Sequence, residues 1–306
     1  MIKKVLILGG GISRERLISL ETARSVYNSL KKKNYKVSIC EPDANLSKKI
    51  VNFKPDVVFN ALHGQFGEDG YIQAILESQK VKYTHSGVLA SAIAMDKEMS
   101  KKIYIKNKIL TPKYIKFNFK HKVSNNKLIT KIKKKLKFPV VIKPINEGSS
   151  VNVYICNQKN FLKKIKKLIF YKEILIEEFI PGREIQVAIL GKKKLGAIEL
   201  KPKRKFYDYE AKYNVKAKTK HIIPVDINNK NYKKIMNIAY KAHNLIGCKG
   251  VTRSDFKFYK NKFYLLETNT QPGMTNLSLV PEIANYAGIK FIDLVEWILK
   301  DASTNR

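Results

Sequence analysis

The chain is short of acid, of arginine and of cysteine. Its 306 residues carry 60 Lys+Arg against 25 Asp+Glu, a formal net charge of +35. Such a charge raises the question of a nucleic-acid or anionic-membrane partner. Only 7 of the 60 cations are arginine, the side chain suited to bidentate contacts with phosphates and base edges. The lysines also come in short runs (Lys31 to Lys33, Lys133 to Lys135, Lys163 to Lys167, Lys192 to Lys194) scattered along the chain instead of forming one tail or stripe. They read as a lysine-rich coding bias on solvated faces, with no nucleic-acid partner. Cys40, Cys156 and Cys248 lie far apart in no CxxC or metal-ligand spacing, which argues against a disulfide framework and for a reducing cytoplasm. No apolar run nears the ~20 residues of a membrane-spanning helix, so a soluble chain with no membrane partner is expected. Lys3 and Lys4 precede an apolar stretch, but Val5 to Leu8 is too short for a signal-peptide core and reads as a first β-strand.

What is present is a chain with 44% hydrophobic residues, long enough for two or three domains. Val5 to Leu8 runs into Gly9-Gly10-Gly11, and Ser19 to Lys33 has helical spacing. Strand-like runs at Tyr35 to Cys40 and Asp56 to Ala61 alternate with helical stretches at Leu46 to Asn52 and Tyr71 to Gln79. That alternation predicts a Rossmann-like, helix-flanked parallel sheet over 1–93, with its chemistry at the carboxyl ends of the strands. A second, α+β unit is expected over 94–180: a helix Asp96 to Asn107, a strand Lys113 to Phe117, a helix Asn125 to Leu136, the run Pro139 to Pro144, a hairpin-like Val151 to Cys156, a helix Phe161 to Phe170 and a strand Ile174 to Ile180. A third unit over 181–306 contains a polar stretch, 202–221, without a period, of the kind that forms a mobile lid. It also contains a helix Asn231 to Leu245, strands around Arg253 to Phe258 and Phe263 to Thr268, and helices around Pro281 to Tyr286 and Phe291 to Lys300.

The strongest site signal is Arg253-Ser-Asp255 followed by Glu267-Thr-Asn269. Glu267 and Asn269 are two apart on a strand and share a face. If Lys260-Asn261-Lys262 is a three-residue hairpin loop, Asp255 falls opposite Glu267, and two carboxylates and an amide oxygen converge. A hard cation such as Mg²⁺ uses that kind of oxygen set; the competing reading is an acidic, solvated hairpin. Glu147-Gly148-Ser149-Ser150, after a strand ending in Lys143-Pro144, is a small-residue turn whose N–H groups approach phosphate closely, or an ordinary Gly-Ser turn. His63 to Gly70 places an imidazole and two carboxylates in a glycine-rich loop, where a lone histidine is otherwise structural. Glu15 stands at the first helix, as a substrate ligand or as a first-turn acid complementing the helix dipole. Gln271-Pro-Gly273-Met-Thr275, with Ser278-Leu279 ahead of a helix, offers backbone N–H groups to a carboxylate or an oxyanion, or is a plain connection.

Taken together and in order, Leu8-Gly9-Gly10, His63 to Gly70, Met95-Asp96-Lys97, Val141 to Pro144, Glu147 to Val151, Phe206 to Tyr213 and Leu266 to Leu279 resemble the ATP-grasp superfamily, and within it the D-alanine-D-alanine ligases, over nearly the whole chain. The resemblance implies an α/β fold, α+β in its later domains, in which two α+β domains clamp ATP behind the N-terminal one. It implies ATP-dependent joining of two D-alanines through an acyl phosphate for peptidoglycan precursors, in a homodimeric cytoplasmic enzyme. Asp255, Glu267 and Asn269 are then ligands of two Mg²⁺ (or Mn²⁺) ions. Lys97 and Lys143 bind phosphates; Ser149, Ser150 and Val151 close over them; Glu177, Glu178, Phe179, Ile180 and Glu184 hold adenine and ribose, with Leu266 on the base. Phe206 and Lys212 belong to the lid, Lys212 reaching the γ-phosphate. Glu15 binds the first D-alanine's ammonium, linked through Ser149 and Tyr213, with His63 near. Arg253 and the Gly273 N–H stabilise the oxyanion, and Ser278 and Leu279 hold the second D-alanine's carboxylate.

The sequence departs from the family pattern at Asn152, where Gly is usual, at Ser254, usually aliphatic, and at Leu277, often polar. Tyr213, where relatives joining D-alanine to D-lactate resemble the pattern with Phe, favours a true dipeptide. The alternatives are a D-alanine-D-lactate or other amino-acid ligase of the same fold, and a basic nucleic-acid-binding protein on a degenerate scaffold.

Overall fold

A computed structural model describes residues 2–120, 124–201, 219–275 and 278–306. The stretch 202–218, with Phe206, Lys212, Tyr213 and nearly all of the expected lid, lies outside the described residues, as does Leu277.

The apolar tetrad after Lys4 forms the middle strand of a parallel sheet. β1 (Lys4–Leu8) pairs with β2 (Lys36–Cys40) on one side and β3 (Val57–Asn60) on the other. Val5 to Leu8 are buried on both faces, as a helix-covered parallel strand requires. α1 (Arg16–Lys31), α2 (Leu46–Phe53) and α3 (Tyr71–Ser78) supply the cover. Gly10 sits at φ +89, and a Cβ there would lie 2.4 Å from the Glu41 carboxylate, so only glycine turns this corner. The turn delivers the chain to α1, which begins three residues before the periodicity indicates, at Arg16 with Glu15 in the capping position.

α4 (Val88–Met95) is a helix the periodicity does not reveal: it is apolar nearly all round, so it carries no stripe to read. Asp96 follows as the N-cap of α5 (Lys97–Lys106), accepting from the Glu98 and Met99 N–H groups at 2.9 Å each. This is why the helix expected from Asp96 starts one residue later.

A four-stranded antiparallel sheet, in the order β4 (Tyr114–Asn118), β7 (Glu173–Glu178), β5 (Val140–Pro144), β6 (Tyr154–Cys156), packs on α6 (Asn125–Lys135) and α7 (Gln158–Ile165). The hairpin-like stretch from Val151 is strand only from Tyr154; the residues before it are the loop from β5. The helix expected over Phe161 to Phe170 is α7, capped by Asn157, and then a 3₁₀ turn over Lys166–Tyr171. The lysine run Lys133 to Lys135 is exposed on α6.

A five-stranded antiparallel sheet follows, in the order β10 (Lys220–Ile222), β9 (Lys193–Lys201), β8 (Arg183–Leu190), β11 (Val251–Tyr259), β12 (Lys262–Asn269). One face packs on α8 (Asn229–Ile246) together with Ala90, Ala94 and Tyr104. The other packs with α9 (Leu279–Tyr286), α10 (Phe291–Asp301), α1 and the face of the first sheet bearing Val5 and Ile7. Ser254, an unusual residue for its place, is buried and satisfied: its hydroxyl lies 3.1 Å from that of Thr268, which also accepts from Tyr104 at 2.9 Å.

The β11–β12 hairpin corrects the expected loop. Tyr259 pairs with Lys262, so the loop has two residues, Lys260 and Asn261, both at positive φ as a type I′ turn demands. That register alone would put Asp255 opposite Leu266. A β-bulge at Leu266 shifts it by one, and Asp255 falls opposite Glu267 after all.

Candidate active site

The bulge decides what faces the cleft. Strand alternation would send Leu266 and Glu267 to opposite faces, yet both line a cleft of about 830 Å³ between the four- and five-stranded sheets. Val141, Lys143, Glu177, Phe179 and Ile180 face them from the other wall. Glu178, Glu184, Ser150, Val151 and Asp255 also line this cleft. A second cleft, of about 950 Å³, continues toward the parallel sheet and is lined by Glu15, His63, Ser149, Arg253, Asn269, Gly273, Ser278 and Leu279. Lys97, Glu147 and Glu267 line both. The structure therefore brings together every expected site residue that it describes.

At the junction, Lys97 Nζ lies 3.5 Å from Glu267 Oε2 and donates to the Glu147 carbonyl. On the wall of the first cleft, Glu177 bridges two lysines, Lys143 at 2.8 Å and Lys101 at 3.0 Å. Burial pushes the Glu177 carboxyl up, but the two ammonium groups outweigh it and the net direction is down.

Lys101 is a residue that sequence reading misses, because one more lysine on a lysine-rich helix carries no signal. It is fully buried, donates to Thr111 Oγ1 at 2.6 Å, and burial pushes its ammonium down to about 8, Glu177 opposing the shift. The folded chain therefore holds fewer protons here than the unfolded chain between about pH 8 and the ordinary 10.5, and this group's contribution to stability rises with pH through that window. Melting curves of wild type and Lys101→Met at about pH 7.5 and 9.5 check it. The wild type should gain on the variant at the higher pH; a gain by the variant contradicts the assignment.

In the second cleft, Ser149 Oγ donates to the Glu15 carboxylate, drawing the loop after β5 onto the start of α1. Glu15 makes no helix-capping bond and is buried, so its carboxylate is turned to the cleft and not to the helix dipole. His63 lies between Glu68 (Nδ1 to Oε1, 3.2 Å) and Thr22 (Nε2 to Oγ1, 3.0 Å), and Thr22 Oγ1 accepts from the Met274 N–H at 3.3 Å. Burial, together with the Glu15 charge, pushes the Glu68 carboxyl up, although the His63 contact opposes it. Gly273 passes so close to Ser278 that a Cβ would lie 2.8 Å from its hydroxyl. Ser278 Oγ accepts from the Thr275 N–H at 2.9 Å, and Ser278 and Leu279 open α9.

Asp255 and Arg253 form a bidentate pair, Nε to Oδ1 at 2.8 Å and Nη2 to Oδ2 at 3.1 Å. The expected metal ligand and the expected oxyanion donor thus share one ion pair. Asp255 faces Glu267 and Arg253 faces Asn269 across β11–β12. Among the described residues no three His, Cys, Asp or Glu side chains gather as a metal site. Two carboxylates and the Asn269 amide on one hairpin do fit a hard divalent cation that keeps water and phosphate oxygens in its remaining positions. Gln186, opposite Asp255 on β8, is a second residue the sequence does not flag: it is fully buried at the cleft wall with its amide unpartnered among the described residues.

Two antiparallel sheets closing on a cleft lined by lysines and carboxylates, behind a parallel-sheet unit, form the ATP-grasp arrangement. The D-alanine-D-alanine ligase of Bacillus anthracis has this structure, with a TM-score of 0.87 at 30% identity over 98% of this chain and 97% of that one. Its complex with ATP gives 0.83 at 27% identity, with the same coverage. Family models described as D-ala D-ala ligase N-terminus and C-terminus match residues 40–86 and 103–300. The D-alanine-D-alanine ligase of Pelagibacter ubique (strain HTCC1062) is 72% identical over 306 residues, all of both chains, and that of Wolbachia pipientis wMel is 43% identical over 99% of this chain and 95% of its own. The chain belongs to the D-alanine-D-alanine ligase family.

Proposed function

We propose that this chain joins two D-alanine molecules at the expense of ATP, through an acyl phosphate, to make the dipeptide of peptidoglycan precursors. The observation that carries this reading is the meeting of the two clefts at Lys97, Glu147 and Glu267: a nucleotide in one presents its terminal phosphate to an amino acid in the other. Leu266, Phe179 and Ile180 give the base apolar walls, with Glu177, Glu178 and Glu184 at its polar edges. Lys97 and Lys143 offset phosphate charge, under the loop Ser149, Ser150 and Val151. Glu15 and His63 orient the first D-alanine's ammonium and carboxylate. Transfer of the phosphoryl group to that carboxylate makes phosphate a leaving group; the second amino acid's neutral amine attacks the carbonyl carbon, the C–O bond to phosphate breaks, and the nitrogen's surplus proton leaves with the phosphate. Arg253 and the Gly273 N–H stabilise the oxyanion that forms, and Ser278 with the opening turn of α9 holds the second carboxylate. Asp255, Glu267 and Asn269 would hold Mg²⁺ or Mn²⁺, whose charge offsets that of the phosphoryl oxygens.

Domain limits at 1–93, 94–180 and 181–306, a cytoplasmic location, a homodimer, and lid roles for Phe206, Lys212 and Tyr213 belong to the same reading. ADP release in the presence of Mg²⁺-ATP should depend on D-alanine and not on L-alanine, with D-alanyl-D-alanine identified by mass. A depsipeptide as the main product when D-lactate competes would replace the dipeptide reading, and turnover only with another acceptor would overturn the substrate assignment.

A further inference from the structure

The loop between β5 and β6 holds an unfavourable backbone. Ser149, Ser150 and Asn152 lie at φ +46, +58 and +56, a region that costs residues with a Cβ of order 1 kcal/mol each unless their surroundings fix them. Two backbone bonds brace the loop from inside: Val151 N–H to the Gly148 carbonyl at 3.0 Å and Val153 N–H to that of Ser150 at 3.3 Å. From outside, Ser149 Oγ reaches the Glu15 carboxylate in the middle of the loop, and one further hydroxyl meets both of its ends. Tyr171 Oη, at the end of the 3₁₀ turn, accepts from Asn152 Nδ2 at 2.7 Å and donates to Glu147 Oε1 at 3.0 Å. Glu147 and Asn152 are the two ends of the segment 147–152, so this hydroxyl ties the loop at both ends. Tyr154 Oη donates to Asn152 Oδ1 at 3.2 Å, which fixes the orientation of the amide. The Glu147 carbonyl in turn accepts from Lys97 Nζ, which lies beside Glu267. Tyr171 is half-buried, and its ring is held independently, 4.2 Å centroid to centroid from Phe170.

We propose that Tyr171 and Asn152 are positioning residues for ATP: together they form a clasp that holds the phosphate loop in its bound shape and keeps Lys97 aimed at the phosphates. The inference rests on the ATP-dependent reading above but not on the identity of the amino acids. Asn152 then fills two needs, since asparagine tolerates a left-handed backbone better than other residues with a Cβ and supplies the amide that glycine lacks.

The test is a double-mutant cycle of Tyr171→Phe and Asn152→Gly, read by calorimetric titration with Mg²⁺-ATP and by steady-state kinetics. Phenylalanine keeps the ring packing, and glycine suits the backbone, so both variants should melt near the wild type. Tyr171→Phe should weaken ATP binding about tenfold, the size of a lost hydrogen bond to a charged partner, with the D-alanine KM changed by less than about twofold. Asn152→Gly should show a smaller loss of the same kind, because glycine also relieves strain. The double variant should bind ATP no more weakly than Tyr171→Phe alone, because each substitution opens the same clasp. Unchanged ATP affinity in both single variants, or losses that multiply in the double variant, would overturn the clasp. Because calorimetry needs no turnover, failure of the D-alanine reading would leave this result standing and would be recognised separately.

Discussion

Glu267→Ala should lower D-alanine-dependent ADP release by about 10²- to 10³-fold, the scale of removing one preorganised electrostatic group from a reaction centre. Three features argue for that place. It lines both clefts, it faces Asp255 across the hairpin, and it lies 3.5 Å from Lys97 Nζ. Stability should change little, because the Glu267 side chain is 28% exposed and the buried Lys97 beside it keeps the Glu147 carbonyl as an acceptor. Glu267→Gln keeps the shape and loses the charge, so it should fail almost as badly. Initial rates over a Mg²⁺ titration, with melting curves as the control, decide the matter. A folded Glu267→Ala enzyme with rates near wild type would remove both the metal-ligand role and the central place given to this residue.

How that residue comes to face the cleft shows the reach of sequence reading. The pairing of Asp255 with Glu267 is the expected one, but by a different route: a two-residue loop in place of three, and one extra residue at Leu266. Nothing in Leu265-Leu266-Glu267 announces a bulge, because a bulge answers to how two strands and the sheet beneath them fit. Motifs local in sequence were legible, since the glycine corner after β1, the loop after Lys143 and the turn at Gly273 each need their own composition. Helices with a one-sided stripe were legible within a few residues, whereas α4 was not, because it is apolar on its exposed side, at Val88 and Leu89, as well as on its buried one, and so has no period. Contacts between distant segments were not readable either. Lys101 becomes distinctive only when folding places it against Glu177, 76 positions away by their numbers, and Tyr171 only when its hydroxyl meets both ends of the segment 147–152.

The Lys101–Glu177–Lys143 group also carries the largest expected effect on stability. Glu177 is 2% exposed, Lys101 0% and Lys143 7%, so two ammonium groups and one carboxylate are largely withdrawn from water at the cleft wall. Glu177→Gln keeps the shape but leaves two buried cations facing a neutral amide. Breaking a buried pair in this way costs about 3–5 kcal/mol, which lowers the melting temperature by on the order of 10 °C in a chain of this size. Lys101→Met added to Glu177→Gln removes one of the stranded cations and should recover half or more of the loss; a double variant as unstable as Glu177→Gln, or more so, would mean that the carboxylate serves packing and not charge. Raising the pH offers a second release. With its anionic partner gone, Lys101 has a still lower folded-state pKa than about 8 and sheds its proton within the fold, while the unfolded chain keeps its own until near 10.5. The penalty of Glu177→Gln should therefore shrink between about pH 7 and pH 9.5, and a penalty constant across that range would place the cost elsewhere than in a stranded ammonium.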